Sequence, residues 1–178
     1  MTIPVLTTER LLLRQFTMDD ASAMEGLLGD EDVMRYSVIG RLSEERFSNH
    51  VRQWIDHYET HGFGIWAVMF EGDMIGFCGV DWKTVDEKEQ IQISYRFNKA
   101  YWGKGLAYEA ASAVCHYAMD TLKIPAIIAL IDPENDRSLA LAKKLGMKFS
   151  HDTMYLGHVR SIYRLEGEGS LRCLGISN

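Results

Sequence analysis

Two stretches of the 178-residue sequence hold groups whose types and spacing could do chemistry. The first, Asn98 to Glu109 (NKAYWGKGLAYE), sets Gly103 and Gly105 between an expected strand and the start of an expected helix. Glycines there let backbone N–H groups approach a ligand closely. The first turn of a helix has N–H groups without partners and a partial positive charge, so it favours a phosphate or pyrophosphate. Lys104 adds a full cation. The run GKGLAY is neither a Walker loop nor a dinucleotide fingerprint, so both nucleotide readings fail. Spacing alone leaves a tight turn and an anion cradle both open. The second stretch, Asp132 to Met147 (DPENDRSLALAKKLGM), follows a run expected to be a buried strand. Asn135 suits the N-cap of the next helix. Ser138 falls on that helix's apolar face with Leu141 and Leu145, where its hydroxyl needs a carbonyl one turn back or a bound group.

Other candidates point to blander roles. His57 and His61 stand four apart, a spacing that can bind metal, but no third ligand accompanies them and Gly62 ends the helix; a solvated or capping role is expected, and no metal. Cys78, Cys115 and Cys173 are odd in number, widely spaced and in no CxxC pair, which excludes a disulfide framework and fits a reducing compartment. Cys78 and Cys115 sit in apolar runs, where a thiol is an inert packing group. Trp54, Phe63, Trp66 and Trp82 could line a cleft, but at strand and helix positions they read as core, with the cleft kept as the alternative for Trp82 at a strand end.

The elements that must hold these groups follow from periodicity. Arg10 to Phe16 reads as the first strand, with Asp19 as N-cap of a helix through Leu28. A second helix begins near Ser43 and carries Phe47, Val51, Trp54, Ile55 and Tyr58 at spacings of three and four up to Gly62. Gly64 to Phe70 and Met74 to Trp82 form a hairpin, and Lys83 to Glu89 reads as a charged loop. Ile91, Ile93, Tyr95 and Phe97 alternate with Gln90, Gln92, Ser94 and Arg96, the pattern of a half-buried strand. A helix from Leu106 and the buried strand Ala126 to Ile131 complete a crossover whose strands should be parallel. The helix from Asn135 to Gly146 and a last hairpin, Lys148 to Leu156 with His158 to Glu166, close a mixed α/β domain spanning residues 1–178, with a frayed tail from Gly167. With 19 Lys and Arg against 25 Asp and Glu, the net charge is −6. That balance argues against nucleic acid. The N-terminus lacks a signal-type apolar run, and Ala126 to Ile131 is too short to cross a bilayer, so the expected location is cytoplasmic, with no membrane partner.

Taken together and in this order, TTERLLLRQFTMDDA, IGFCGV, ISYRFNKAYWGKGLAYEA and NDRSLALAKKLGM resemble the GNAT superfamily of N-acetyltransferases, and in particular its RimJ/RimL branch of ribosomal-protein alanine acetyltransferases. The resemblance covers residues 7 to 166. It implies a mixed, mostly antiparallel seven-stranded sheet, splayed between its fourth and fifth strands and flanked by about four helices, with acetyl-CoA in the gap. By position, the backbone at Tyr95, Arg96 and Phe97 would pair with the pantetheine arm. Trp102, Gly103, Lys104, Gly105, Leu106 and Ala107 would form the pyrophosphate loop, with Trp102 standing where the family has Gln or Arg. Asn135 would contact the cofactor arm, and Ser138 would lie near the thioester sulfur.

The implied acceptor is a primary amine, either a protein N-terminus or a small amine. At pH 7, deprotonating a lysine-type amine costs about 4.6 kcal/mol, against about 1 to 1.4 kcal/mol for an α-amino group. The glutamate that many superfamily members carry on the fourth strand is absent here, and Ala142 stands where a tyrosine would protonate the thiolate. The remaining candidates are Asp81 and Glu89, or a water chain, for the base and Ser138 beside the sulfur. The surplus of negative charge is expected to draw a cationic amine to the cleft. A non-catalytic acyl-CoA-binding regulatory module is the alternative from another class. A homodimer through the last hairpin is compatible with an exposed edge strand.

Overall fold

A computed structural model describes residues 4–41 and 44–167, and for Glu44, Glu45 and Phe47 the backbone alone. Ser43, Cys173 and the tail beyond Gly167 lie outside the described residues. The strands are β1 (Leu6–Thr7), β2 (Leu11–Arg14), β3 (Ile65–Phe70), β4 (Asp73–Val85), β5 (Lys88–Phe97), β6 (Ala126–Ile131), β7 (Lys148–Tyr155) and β8 (His158–Glu166). They form one sheet in the order β1-β2-β3-β4-β5-β6-β8-β7. Neighbours run antiparallel except β5 and β6, which are parallel, as the helical crossover between them requires. The sheet therefore has eight described strands, one more than the expected seven. The extra strand is the two-residue β1, too short to show a period, paired with β2 through Leu6↔Leu13 and Thr7↔Leu12.

Five α-helices flank the sheet among the described residues, against about four expected: α1 (Ala21–Leu28), α2 (Glu31–Met34), α3 (Glu44–His61), α4 (Leu106–His116) and α5 (Asp136–Lys144). The single-turn α2 is the addition, capped by Asp30, whose carboxylate accepts from the N–H groups of Asp32 and Val33. Asp19 caps no helix: Thr17 caps the 3-10 turn that leads into α1, with Asp20 closing a capping box, and Asp20 itself stands at the N-cap position of α1. One face of the sheet packs on α4 through Trp66, Cys78, Val80, Ile93, Leu106, Ala110 and Val114. The other packs on α1 and α3 through Met24, Leu27, Val51, Ile65 and Phe77.

Two local departures come from backbone pairing. The expected charged loop at Lys83 to Glu89 is instead ladder up to Val85↔Lys88, turned by Asp86 (φ 51°) and Glu87 (φ 62°). Both central residues are left-handed, the signature of the tight hairpin turn that suits strand twist. Gly167, expected to be frayed, donates its N–H to the Pro125 carbonyl at 2.8 Å.

Candidate active site

The parallel seam between β5 and β6 closes at one rung only, Gln92↔Ile128. Beyond it the strands part, and the seam edge of β5 toward Phe97 has no strand partner among the described residues. This is the splay the resemblance implies. A cleft of about 550 Å³ occupies it and reaches across to α3. Tyr36 to Ile39, from the segment after α2, line it on one side. His50, Gln53, Trp54 and His57 of α3 line it from above, and Asp132, Asn135 and Ser138 from the turn into α5.

Strand register decides which candidates meet. Asp81 stands opposite Gln92 and Gly79 opposite Ser94, so Asp81, Gln92, Ser94 and Arg96 share the face that lines the cleft. Glu89 stands opposite Thr84, on the other face, and is exposed. Its carboxylate accepts from the Thr84 hydroxyl, and it lines a separate hollow with Trp82 and Ile91. The structure thus brings Asp81, Ser94, Asn135 and Ser138 to one cleft and leaves Glu89 outside it.

Asp81 pairs with the Lys83 ammonium at 2.9 Å through Oδ2, while its buried Oδ1 has no hydrogen-bond partner. Burial holds this carboxyl above the usual range, and Lys83 draws it partly back. His57, expected to be solvated or capping, turns into the cleft instead. Its Nε2 is buried without a partner, and its ring lies 4.3 Å from that of His61 and 5.4 Å from Phe63. Burial, with the charges of His61 and Lys83, lowers it to about 4. Ser138 is half-buried beside Tyr95. Burial pushes the Tyr95 phenol up to about 12 against a hydrogen bond with Ser138. Asn135 caps α5, its carbonyl oxygen accepting from Ser138 N at 3.2 Å. Burial raises the Cys78 and Cys115 thiols, the latter to about 12, as inert thiols require.

The glycine segment forms a cradle at the open end of β5. Gly103 (φ 75°) and Gly105 (φ 77°) are both left-handed, and Gly105 begins α4 with no side-chain cap. The first N–H groups of α4 are thus free for an anion. A Cβ built at Gly103 meets nothing within 4 Å, so the surface above the loop is open. These features fit a pyrophosphate. Trp102 takes a structural part: its indole N–H donates to the Phe97 carbonyl at 2.8 Å, and the Arg137 guanidinium of α5 stacks 4.0 Å over its ring. Lys104 is exposed, its ammonium 5.1 Å from the Tyr101 ring. Arg10, whose guanidinium donates to the Lys104 carbonyl beneath the loop, and Arg137 are the site residues that sequence reasoning missed; for His57 it gives only a solvated or capping role, and for Arg96 only a backbone one. The Arg96 side chain carried a signal, its place on the polar side of the β5 alternation.

A mixed sheet parted at a parallel seam, with a glycine cradle at the parted end, defines an acyl-CoA-dependent acyltransferase. The chain matches the acetyltransferase (GNAT) domain over residues 10–148 and belongs to that family, as an N-acetyltransferase using acetyl-CoA. The uncharacterized protein YkkB of Bacillus subtilis is 32% identical over 152 residues, covering 82% of this chain and 86% of its own. A spermidine N(1)-acetyltransferase of Escherichia coli is 26% identical, covering 85% of this chain and 80% of its own. A GNAT-family acetyltransferase structure from Bacillus anthracis superposes with a TM-score of 0.77 at 26% identity, covering 92% of this chain and 98% of that one. RimL, a ribosomal-protein α-N-acetyltransferase in complex with coenzyme A, gives 0.77 at 18% identity, covering 93% and 99%. The RimL likeness is one of fold. Among the described residues no helix is long and apolar enough to cross a membrane.

Proposed function

We propose that the chain transfers an acetyl group directly from acetyl-CoA to a primary amine in the cleft at the parted seam, as a single cytoplasmic acyltransferase unit. The observation that carries this reading is the unpartnered, buried Oδ1 of Asp81 on the same strand face as Ser94, across the cleft from Ser138. Acetyl-CoA supplies the activated thioester. The free edge of β5 from Tyr95 to Phe97 aligns its pantetheine arm, and Trp102 to Ala107 cradle its pyrophosphate. Asp81 holds the amine with Ser94 and takes the proton it releases as nitrogen bonds to the acetyl carbon. Seam-facing N–H groups of β5 receive the oxyanion, and the C–S bond breaks with Ser138 hydrogen-bonded to the departing sulfur. Glu89 is too far round the strand to share this task.

An α-amino acceptor, a protein N-terminus as in the RimJ/RimL type, needs least of the base; a small amine needs more. Labelled acetyl-CoA incubated with N-terminal peptides, polyamines and aminoglycosides tests the proposal. Transfer to at least one acceptor supports it, and tight cofactor binding without transfer to any favours a regulatory module. The last hairpin supports a homodimer: among the described residues β7 ends the sheet, and Phe149 and Met154 on it, Leu156 in the turn and Val159 on β8 are exposed. A monomeric mass by light scattering would contradict that part.

A further inference from the structure

The cleft's charges are not those a polyamine would meet. Five formally charged side chains line it among the described residues: Lys83, Arg96 and Arg160 against Asp81 and Asp132. Each carboxylate has a cation beside it: Asp81 meets Lys83 at 2.9 Å through Oδ2, with Oδ1 left for the amine, and Asp132 meets Arg160 at 2.8 Å. Arg160 also donates to the carbonyls of Tyr36 and Val159. Arg96 has no carboxylate beside it among the described residues. Its one hydrogen bond runs from Nη1 to the Val33 carbonyl at 3.3 Å, out of five N–H donors that a guanidinium offers. Burial weakens its hold on the proton, lowering it to about 10. His50 and His57 do not offset this charge with an anion, and burial lowers both. Among the described residues the cleft therefore carries one more cation than anion, in a chain whose net charge is −6. The chain's overall negative charge is not carried into the described lining of the cleft.

A desolvated guanidinium with spare donors is the residue type suited to a carboxylate, which it can grip through two parallel bonds. We propose that Arg96 is an acceptor-recognition residue, and that the acceptor is a primary amine bearing a carboxylate, as in an amino acid or a peptide with an acidic residue near its N-terminus. This rests on the cleft being the acetyl-transfer site. Arg96 shares its strand face with Ser94, two residues away, and with Gln92, four away and opposite Asp81. At the strand rise these are separations of about 7 and 13 Å between Cα atoms. The amine at Asp81 and Ser94 and the carboxylate at Arg96 thus lie along one line on the strand. A polyamine would bring a second cation to Arg96.

The test uses matched acceptors: free amino acids, peptides with an acidic second or third residue, the same molecules with every carboxylate converted to amide, and polyamines. CoA release from wild-type protein should favour carboxylate over amide by about ten- to a hundredfold in kcat/KM, the range for hydrogen bonds to a charged group. The arm that responds separates a free amino acid from a peptide. Arg96→Gln should collapse that ratio to within about twofold, mainly through KM, and Arg96→Lys, which keeps the charge without the fork, should fall between. Carboxylate binding is read independently as the shift in melting temperature of the CoA-loaded protein on adding the N-acetylated amino acid. A shift in wild type that Arg96→Gln loses, without turnover of any amine, would retain the anion site and overturn transfer. A preference for amides or polyamines, an unchanged ratio in both variants, or no carboxylate-dependent shift would overturn the proposal.

Discussion

Arg10 and Glu109 join β2's approach to the first turn of α4 through both the backbone and the side chain of the arginine. The Arg10 N–H donates to Glu109 Oε1 at 2.8 Å and its Nε to Oε2 at 2.7 Å, while Nη1 reaches the Lys104 carbonyl at 3.0 Å. The Thr8 hydroxyl adds a second donor to Oε1 at 2.6 Å, and the Glu109 carboxyl is held below its usual range: these bonds outweigh the opposing effect of burial. The first turn of α4 would otherwise present a carboxylate beside a pyrophosphate. Arg10 neutralises it and pins the glycine loop from beneath.

Glu109→Gln should therefore loosen the cradle without touching the acceptor side. The expected outcome is a KM for acetyl-CoA raised about three- to tenfold, with kcat and the acceptor KM within about twofold. Steady-state kinetics with each substrate varied in turn checks this, and a rise confined to the acceptor KM would contradict it.

Asp81 acts as a base only when ionised, and burial raises its pKa. The acidic limb of kcat/KM should then lie above the ordinary carboxylate range near 4. Lys83, 2.9 Å away, opposes the shift. Lys83→Met removes that opposition, so the limb should move to higher pH. A limb unmoved in the variant would take Asp81 out of the proton transfer.

His57 binds a proton more readily unfolded than folded, because its folded value is lowered to about 4 from 6.5. Its contribution to stability is complete above pH 6.5 and is lost as pH falls toward about 4. Wild-type melting temperature should fall over that window, and His57→Phe should flatten the fall. Parallel curves for the two proteins would contradict the assignment.

Gly79 stands opposite Ile65 where the neighbouring backbone passes closest. A Cβ there would lie 2.2 Å from the Gly64 carbonyl oxygen and 2.4 Å from Ile65 Cα. Backbone cannot yield as a side chain can, so Gly79→Ala should destabilise by about 3 kcal/mol or more. Denaturant unfolding checks this.

Much of the fold was legible because it rests on periodicity. The alternation along β5, the apolar stripe of α3 and the buried run of β6 each specify an element and its buried face. The site was less legible because it depends on pairing. Asp81 and Glu89 are equivalent carboxylates in sequence, and only the register Asp81↔Gln92 and Thr84↔Glu89 separates their faces. His57 lies off the apolar stripe, so its turn into the cleft follows from how α3 docks, not from its spacing. The β4–β5 ladder outruns the core, and its charged end reads as loop because no apolar period marks it.

The central claim is direct transfer in this cleft with Ser138 at the departing sulfur. It is tested most directly by CoA release from Ser138→Ala and wild type on one accepted amine. The predicted result is a kcat at least about tenfold lower, the minimum for losing a hydrogen bond to developing charge, with the KM for acetyl-CoA nearly unchanged. A rate within twofold of wild type would contradict it.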